Sequence, residues 1–195
     1  MPLLPPEPIV YPEDLLSNGA PGGDASANWW VLHTKPRAEK SLARKCLTGG
    51  IPFFLPQYEK RRRITGQMRS AYLPLFPGYL FLRGDDDARL AALKTNLVVT
   101  SLTVPDQAQL HGDLLRLYRL ISAGAALTPE DKLSPGMWVE IMSGPLLGLT
   151  GKIVRRGGNS RFVVEVQFIQ RGVSANLESW TIRPIDPPAN SEIMR

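Results

Sequence analysis

The last third of the chain is cut by glycine-rich turns into segments that are too short for regular helices. Between residues 134 and 186, apolar and β-branched segments alternate with turns and show no helical periodicity. The predicted strands cover Met137–Met142, Lys152–Arg155, Arg161–Ile169, Val173–Leu177 and a short stretch near Thr181. Short strands separated by frequent turns within one small region predict a β-barrel.

Residues 29–122 show a different order of signals, which predicts a small α+β domain. The aromatic and β-branched run from Trp29 to His33 is typical of a buried strand. Pro36 then predicts the start of a helix, which Gly49 and Gly50 end. The remaining predicted elements are a hairpin over Phe53–Lys60 and Met68–Leu73, a strand over Gly78–Leu82, a helix from Asp85 to Lys94, a strand over Leu97–Val104 and a helix over Leu114–Ile121. The expected fold class is therefore α+β, an α/β sandwich followed by a small barrel.

Three segments lack a consistent pattern of apolar residues. Residues 1–28 are acidic and rich in proline and glycine, which predicts a disordered tail. Residues 123–133 contain Gly124 and Pro129 and are interpreted as a linker that lets the flanking parts move apart. Residues 187–195 are interpreted as a polar carboxy-terminal tail.

The net charge of +5 is concentrated in one part of the chain. Residues 1–28 carry a net charge of −4 and residues 29–83 a net charge of +9. A positive surface confined to one domain indicates nucleic-acid binding, although it also serves solubility. Part of this charge forms one side of the predicted first helix. The other part, Lys60–Arg63, is divided by strand alternation between two faces and is interpreted as charge that prevents edge pairing.

No pattern typical of catalysis or metal binding is visible. His33 and His111 are the only histidines, and the single Cys46 supplies neither a zinc cluster nor an internal disulfide. Asp85–Asp87 precede an amphipathic run and predict a helix start. The sequence therefore predicts a non-enzymatic protein without a metal or a cofactor. No apolar run is long enough to span a membrane and no signal peptide is visible, so a cytoplasmic protein is expected.

The predicted barrel opens with a strand, a Gly-Pro turn and a second strand whose spacing resembles the KOW motif. The residues that carry this resemblance are Gly136, Val139, Ile141, Gly144, Pro145, Gly148, Gly151 and Lys152. Met137 departs from the motif, since an acid is common at that position. KOW modules occur in NusG-type transcription factors and several ribosomal proteins as SH3-like barrels that bind RNA or protein.

The run from Pro74 to Leu82, together with Trp29–Leu32 and the helix led by Pro36, resembles the amino-terminal (NGN) domain of NusG-family elongation factors. The two resemblances cover residues 29–186 in the family's domain order. The hairpin over residues 60–69, followed by Leu75-Phe76-Pro77, is similar to the specialised paralogues of the RfaH type.

The resemblance implies a transcription elongation or antitermination factor. In that family, an apolar patch docks onto the clamp helices of the largest subunit of RNA polymerase. The residues implied for this contact are Trp30, Phe76, Tyr79 and Phe81. Strand alternation puts Tyr79 and Phe81 on one face, opposite Leu80 and Leu82, and leaves open which face is exposed.

The resemblance also implies a DNA contact by the basic side of the first helix. The candidate residues are Lys35, Arg37, Lys40, Arg44 and Lys45. Such a cationic stripe neutralises phosphates without reading sequence. The barrel is expected to recruit a ribosomal protein or a termination factor through the linker, and the chain is expected to be a monomer.

Two alternatives remain open. The KOW segment alone also suits an RNA-binding protein of the ribosome or its assembly, although that interpretation leaves the first domain unexplained. Some RfaH-like relatives change the secondary structure of the barrel region. Here the turn glycines and β-branched pairs such as Val163-Val164 favour strands and predict a stable barrel.

Overall fold

The computed structural model describes residues 8–16, 27–64, 67–130, 136–156, 159–176 and 181–187. The chain divides into two units, Met1–Gln107 and Ala108–Arg195. The fold class is the expected one, a mixed α/β unit followed by a β-rich unit.

The first unit is built on a five-stranded antiparallel sheet. Its elements are β1 (Val10–Tyr11), β2 (Asn28–Thr34), α1 (Glu39–Thr48), β3 (Phe53–Phe54), β4 (Gln57–Ile64), β5 (Gln67–Pro74), β6 (Tyr79–Gly84), α2 (Asp86–Lys94) and β7 (Val98–Thr103). The strand order in the sheet is β1-β3-β6-β2-β7. Strands β2 and β6 are therefore flanked by a strand on each side.

Helices α1 and α2 cover one face of this sheet. Leu32, Leu80 and Leu82 on the strands form a buried core with Leu42 and Cys46 of α1. The predicted packed face of α1 is confirmed, because the apolar residues at helical spacing are the ones that are buried. Asp85 caps α2, since its side chain accepts a hydrogen bond from the Ala88 N–H at 2.9 Å.

Helix α1 begins at Glu39, three residues later than Pro36 predicts. Arg37 has a φ of 61°, a left-handed conformation that a helix does not continue through. Lys35 and Arg37 therefore lie in the turn before α1 and not on the helix. The Pro36 signal marks this turn, and the helix itself starts where the Glu39 side chain becomes buried.

Part of the predicted disordered tail is ordered. Strand β1 pairs with β3, the Tyr11 ring stacks on Phe53 at 6.4 Å, and Leu16 is 1% exposed. A strand of two residues has no alternating pattern and therefore cannot be recognised from the sequence. Residues 1–7 and 17–26 of that tail lie outside the described residues.

Strands β4 and β5 form a separate two-stranded ribbon, which pairs with no other strand in the described part of the chain. The register runs from the Gln57–Pro74 pair to the Ile64–Gln67 pair. The predicted hairpin is confirmed for its second strand, but its first strand begins at Gln57, because Phe53 and Phe54 belong to β3 of the five-stranded sheet. We call residues 59–64 and 67–72 of this hairpin the basic ribbon.

The second unit is a six-stranded antiparallel sheet preceded by a helix. Its elements are α3 (Gln107–Ser122), β8 (Leu127–Glu130), β9 (Met137–Ile141), β10 (Thr150–Arg156), β11 (Asn159–Val166), β12 (Arg171–Asn176) and β13 (Ile182–Pro184). The order is β13-β9-β10-β11-β12-β8. Strands β9 to β13 lie where the sequence predicts them, with ends that differ by up to three residues.

Strand β8 corrects the predicted linker. Residues 127–130 pair with β12, and Pro129 stands opposite Val173. The strand is not recognisable from the sequence, because Pro129 lies within it and proline argues against a strand. Proline is tolerated here because β8 is an edge strand, where one side of the backbone has no ladder partner. Residues 127–130 of the segment therefore belong to the sheet.

Helix α3 is longer than predicted, because it begins at Gln107 and not near Leu114. All its residues except Gln107 fall in the second unit, whereas the sequence places the domain boundary after residue 122. Gln107 itself is bonded within the first unit. Its Oε1 accepts from the Trp29 N–H at 2.6 Å, and its Nε2 donates to the Trp29 carbonyl at 3.1 Å.

Candidate functional site

A tight junction connects the end of β2, the start of β6 and the start of α1. The Gly78 N–H donates to Glu39 Oε1 at 2.7 Å, and the Gly78 carbonyl accepts from the Thr34 N–H at 2.8 Å. Gly78 has a φ of +86°, a conformation that side-chain-bearing residues rarely adopt. Beside it, the Tyr79 and His33 rings lie 5.4 Å apart. This junction fixes Tyr79 next to the start of α1.

The five candidate nucleic-acid-binding residues lie on one continuous segment that starts at this junction. Lys35, Arg37, Arg44 and Lys45 are exposed and Lys40 is half-buried. Lys35 Nζ donates to Asn96 Oδ1 at 3.0 Å, and an Arg44 nitrogen lies 3.4 Å from Ser41 Oγ. We call residues 35–45 the basic segment. Its cations are accessible to an external anion, and its anchoring to the sheet fixes their spacing.

The four candidate polymerase-binding aromatics do not form one group. Tyr79 and Phe81 lie on one face of the sheet, because they pair with His33 and Val31 of β2. Trp30 lies on the opposite face, where it packs against the core that contains Leu32 and Leu82. The structure therefore separates Trp30 from the other three.

Phe76 and Phe81 are interior residues. Their rings meet edge to face at 6.2 Å, and their exposed fractions are 1% and 0%. Leu80 and Leu82 on the opposite face are also buried, so neither face of β6 is the free surface that alternation suggested. Phe76 and Phe81 support the surface from below, and Tyr79 is the half-buried member of the group.

Trp30 and its neighbour Trp29 are each covered by an arginine. Trp30 Nε1 donates to the Gly84 carbonyl at 3.1 Å, and the Arg89 guanidinium lies 4.9 Å from the Trp30 ring centroid. Trp29 is fully buried on the Phe81 side of the sheet, with the Arg83 guanidinium 5.4 Å from its ring. Sequence reasoning selected Trp30 and missed Trp29, because two consecutive tryptophans carry no signal for which one faces which side.

The KOW-like residues of the second unit act in its packing. Val139 and Ile141 are fully buried, Gly136 precedes β9, and Gly144 and Pro145 belong to a 3₁₀ turn. A Cβ on Gly151 would lie 2.6 Å from both the Phe162 ring and the Val163 carbonyl oxygen, so only glycine fits there. Gly148 has a φ of +76° in the turn before β10.

Lys152, the last KOW-like residue, is an internal charge partner. Its Nζ lies 2.8 Å from Glu165 Oε2 and 5.3 Å from the Trp138 ring centroid. Both members of this ion pair are largely removed from solvent, since their side chains are 17% and 3% exposed. Lys152 therefore stabilises the fold of the second unit.

A second buried carboxylate lies on α3. Asp113 is fully buried and accepts hydrogen bonds from Gln109 Nε2 at 2.8 Å, from the Gln167 N–H at 2.9 Å and from Arg116. Burial raises the pKa of Asp113 to about 6, against the opposing effects of Arg116 and of these hydrogen bonds. Nearby Glu165 adds to the rise. This arrangement ties α3 to the turn that follows β11.

Apolar side chains are exposed on β9 and β13 and in the segment between β9 and β10. Met137 and Leu147 are each 57% exposed, Met142 is 38% exposed and Ile182 is 37% exposed. The Met142 N–H donates to the Thr181 carbonyl at 2.8 Å, which holds the end of β9 against β13. Sequence reasoning did not select these residues, because exposure on a strand depends on which face the sheet covers.

Cys46 is buried, and burial raises its pKa to about 11, so its thiol is unreactive. Among the described residues, no three His, Cys, Asp or Glu side chains group as metal ligands. No helix in the described ranges is long and apolar enough to cross a membrane.

Comparison with known proteins was made for the whole chain. A solved structure titled "Domain interaction in Thermotoga maritima NusG" matches with a TM-score of 0.46 and 19% identity, over 82% of this chain and 98% of that chain. No curated protein shows a significant match. The family model described as "Transcription termination factor nusG" matches residues 27–110, from the start of β2 to the first turn of α3. Over this region, which carries the junction, the basic segment and the candidate aromatics, the chain is similar to the NusG family.

Proposed function

We propose that this chain is a non-catalytic transcription elongation or antitermination factor of the NusG family. The match of residues 27–110 to the family model carries this proposal. The match covers four of the five strands of the first unit's sheet, all except β1, together with α1 and α2, so the similarity is not confined to a short motif.

In this proposal, the surface around Tyr79 docks onto the clamp helices of the largest RNA polymerase subunit. Tyr79 is the accessible aromatic, and the buried Phe76–Phe81 pair supports the backbone that presents it. A half-exposed tyrosine held by a rigid turn is a typical interface anchor, since little side-chain entropy is lost on binding. Trp30, under Arg89, is assigned a separate contact at the α2 side.

The basic segment contacts the DNA of the elongation complex. Its cations start at the junction that also holds Tyr79, so one docked orientation serves both partners. A contact with four phosphates would lower DNA affinity roughly 150-fold between 50 and 200 mM salt.

The second unit acts as a KOW module that recruits a further protein. The exposed apolar side chains along β9 and β13 are the candidate contact for that partner, a ribosomal protein or a termination factor. The basic ribbon and the Leu75-Phe76-Pro77 sequence support the specialised RfaH-like type within the family. Action in the cytoplasm, as a monomer, is part of the proposal.

The test is capture of purified core RNA polymerase by the full chain. Retention of polymerase, with loss on Tyr79→Ala and no loss on the exposed matched control Tyr72→Ala, is the expected result. Binding to ribosomes without binding to polymerase would instead favour the ribosomal RNA-binding alternative.

The DNA role is tested in the same complex by crosslinking. Arg44→Glu with Lys45→Glu should weaken crosslinking to DNA, while Lys94→Glu with Arg155→Glu, two exposed cations elsewhere, should not. A flat salt response of the DNA contact would reject this role.

A further inference from the structure

We propose that the basic ribbon is a second nucleic-acid-binding site, which enters the major groove of B-form DNA. Each face of the ribbon then contacts one of the two sugar-phosphate backbones that border the groove. The ligand is the sugar-phosphate backbone of a DNA duplex. This inference rests on the proposed function for its choice of nucleic acid, but it concerns residues to which the proposed function gives no DNA contact.

The register divides the cations of the ribbon between its two faces. Residues directly opposite in an antiparallel pair share a face. Arg61 and Arg63, opposite Ser70 and Met68, lie on one face. Lys60, opposite Ala71, and Arg69, opposite position 62, lie on the other. Each face therefore carries at least two cationic side chains.

Both faces of the ribbon are open to solvent. Arg61, Arg63, Met68, Ser70 and Tyr72 are exposed on one face, and Arg69 and Ala71 are exposed on the other. In the described residues no further strand pairs with either edge. An external ligand can therefore approach from both sides.

The excess of basic residues in the ribbon does not stabilise its fold. Between residues 57 and 74 there are five basic residues and one acidic residue, Glu59. Two-stranded ribbons without a covered apolar face are marginally stable, and repulsion among like charges weakens them further. Four of the five basic residues follow one another directly, in residues 60–63. A polyanion on both faces removes this repulsion.

The one acid on the ribbon is already paired. Arg61 donates to Glu59 Oε2 at 3.0 Å, and its side chain remains 69% exposed. Salt and water screen such an exposed pair, so it holds the two side chains together only weakly. Glu59 therefore subtracts one charge from the face that carries Arg61 and Arg63.

The dimensions fit B-form DNA. Its major groove is about 12 Å wide and admits a two-stranded ribbon. The major groove of A-form RNA is deep and too narrow for side chains to enter. Six residues of extended strand span roughly 20 Å, which is enough to cross the depth of the DNA groove.

The first experiment measures affinity of the full chain for a labelled 20-base-pair DNA duplex between 50 and 200 mM salt. The variants are one pair per face, Arg61→Gln with Arg63→Gln and Lys60→Gln with Arg69→Gln, and the matched control is Lys94→Gln with Arg155→Gln. Each ribbon pair should lower the magnitude of the salt slope by about 1.8, so that the affinity loss over this range shrinks about 12-fold. The control pair should leave the slope unchanged. Glu59→Gln should tighten binding.

The outcomes separate this inference from the proposed function. If Arg44→Gln with Lys45→Gln weakens DNA binding and neither ribbon pair does, the ribbon inference falls and the basic segment keeps its role. The reverse result keeps the ribbon and removes the basic segment. Three results would contradict insertion into the major groove. They are loss of DNA affinity in only one of the two ribbon pairs, equal affinity for an RNA duplex, and no binding of the DNA duplex at 50 mM salt. Ribbon variants that self-associate while DNA affinity stays unchanged would show that the charges only prevent edge pairing. Unchanged thermal melting of each variant verifies folding.

A second experiment does not depend on removing charge. Cys46 is buried with a raised pKa, so Ser70→Cys and Ala71→Cys each introduce one reactive thiol, on opposite faces. A DNA-cleaving iron chelate attached to either thiol should cut both strands of the duplex around one major groove. Cuts from only one of the two positions would contradict insertion between the walls.

Discussion

The two units fill their interiors with different chemistry. The first unit buries large aromatic rings around its sheet, with Trp29, Phe53, Phe54 and Phe81 almost fully enclosed. The second unit buries Phe162 and several valines, and it also encloses Asp113, whose pKa is raised to about 6 by burial. The stability of the first unit therefore depends on how its buried aromatic side chains fill the interior. The stability of the second unit also depends on the protonation state of Asp113.

The largest effect is expected from a cavity in the aromatic interior of the first unit. Phe81→Ala removes a fully buried ring that contacts Phe54 and Phe76 and should lower the free energy of unfolding by about 3–5 kcal/mol. Urea unfolding followed by tryptophan fluorescence measures this. Val99→Ala on β7, at a side chain that is 60% exposed, is the control and should change stability by under about 0.5 kcal/mol. A loss below about 1 kcal/mol at Phe81 would break the comparison.

The next effect concerns protonation in the second unit. The folded-state pKa of Asp113 is raised from 3.8 to about 6, so its stabilising contribution is complete below pH 3.8 and is lost as pH rises through about 6. This loss is on the order of 3 kcal/mol. Asp113→Asn should remove it, so the difference in unfolding free energy between wild type and variant should change between pH 4 and pH 7.5. A constant difference across this range would contradict the assignment.

A smaller loss is expected from overpacking the sheet of the second unit. Gly151→Ala places a methyl group 2.6 Å from the Phe162 ring and should cost about 1–3 kcal/mol. Gly112→Ala in α3, where the nearest atom is 3.7 Å away, should instead stabilise by about 0.5–1 kcal/mol. Thermal melting of the two variants gives opposite signs if the close approach at Gly151 is real.

The smallest effect on stability is expected at two residues whose backbone is in the left-handed conformation, one in each unit. Arg37 in the first unit and Gln170 in the second have φ values of 61° and 53°. Glycine at either position removes a steric cost of about 1–2 kcal/mol but adds an unfolded-state entropy cost of about 0.5–1 kcal/mol. Both variants should therefore raise the unfolding free energy by at most about 1.5 kcal/mol. Only Arg37→Gly should lower the magnitude of the DNA salt slope, by about 0.9. Arg37→Lys keeps the charge and should keep the slope.

The sequence predicted elements whose signals are local. The packed face of α1 follows from the spacing of Leu42, Ala43 and Cys46, and the strands of the second unit follow from the turns between them. Strands β1 and β8 were missed because each exists only through pairing with a distant strand, β3 and β12. Neither is long enough to show alternation.

The candidate site, like the fold, could be predicted only where its signals are local in the sequence. The basic residues could be found because charge is read directly from the sequence. The aromatic group could not be assembled, because the position of Trp30 relative to Phe81 depends on the register between β2 and β6. Side chains packed on the sheet bury both faces of β6, and alternation within one strand carries no information about what packs against it.

The turn at Gly78 has a mechanical consequence. The Gly78 N–H is bonded to Glu39 of α1 and the Gly78 carbonyl to Thr34 of β2. Tyr79 and the start of the basic segment are therefore held in a fixed position relative to each other. In the proposed complex, a partner that displaces Tyr79 would therefore also displace the start of the basic segment. A side chain at position 78 would loosen this coupling even if every contacting residue were kept.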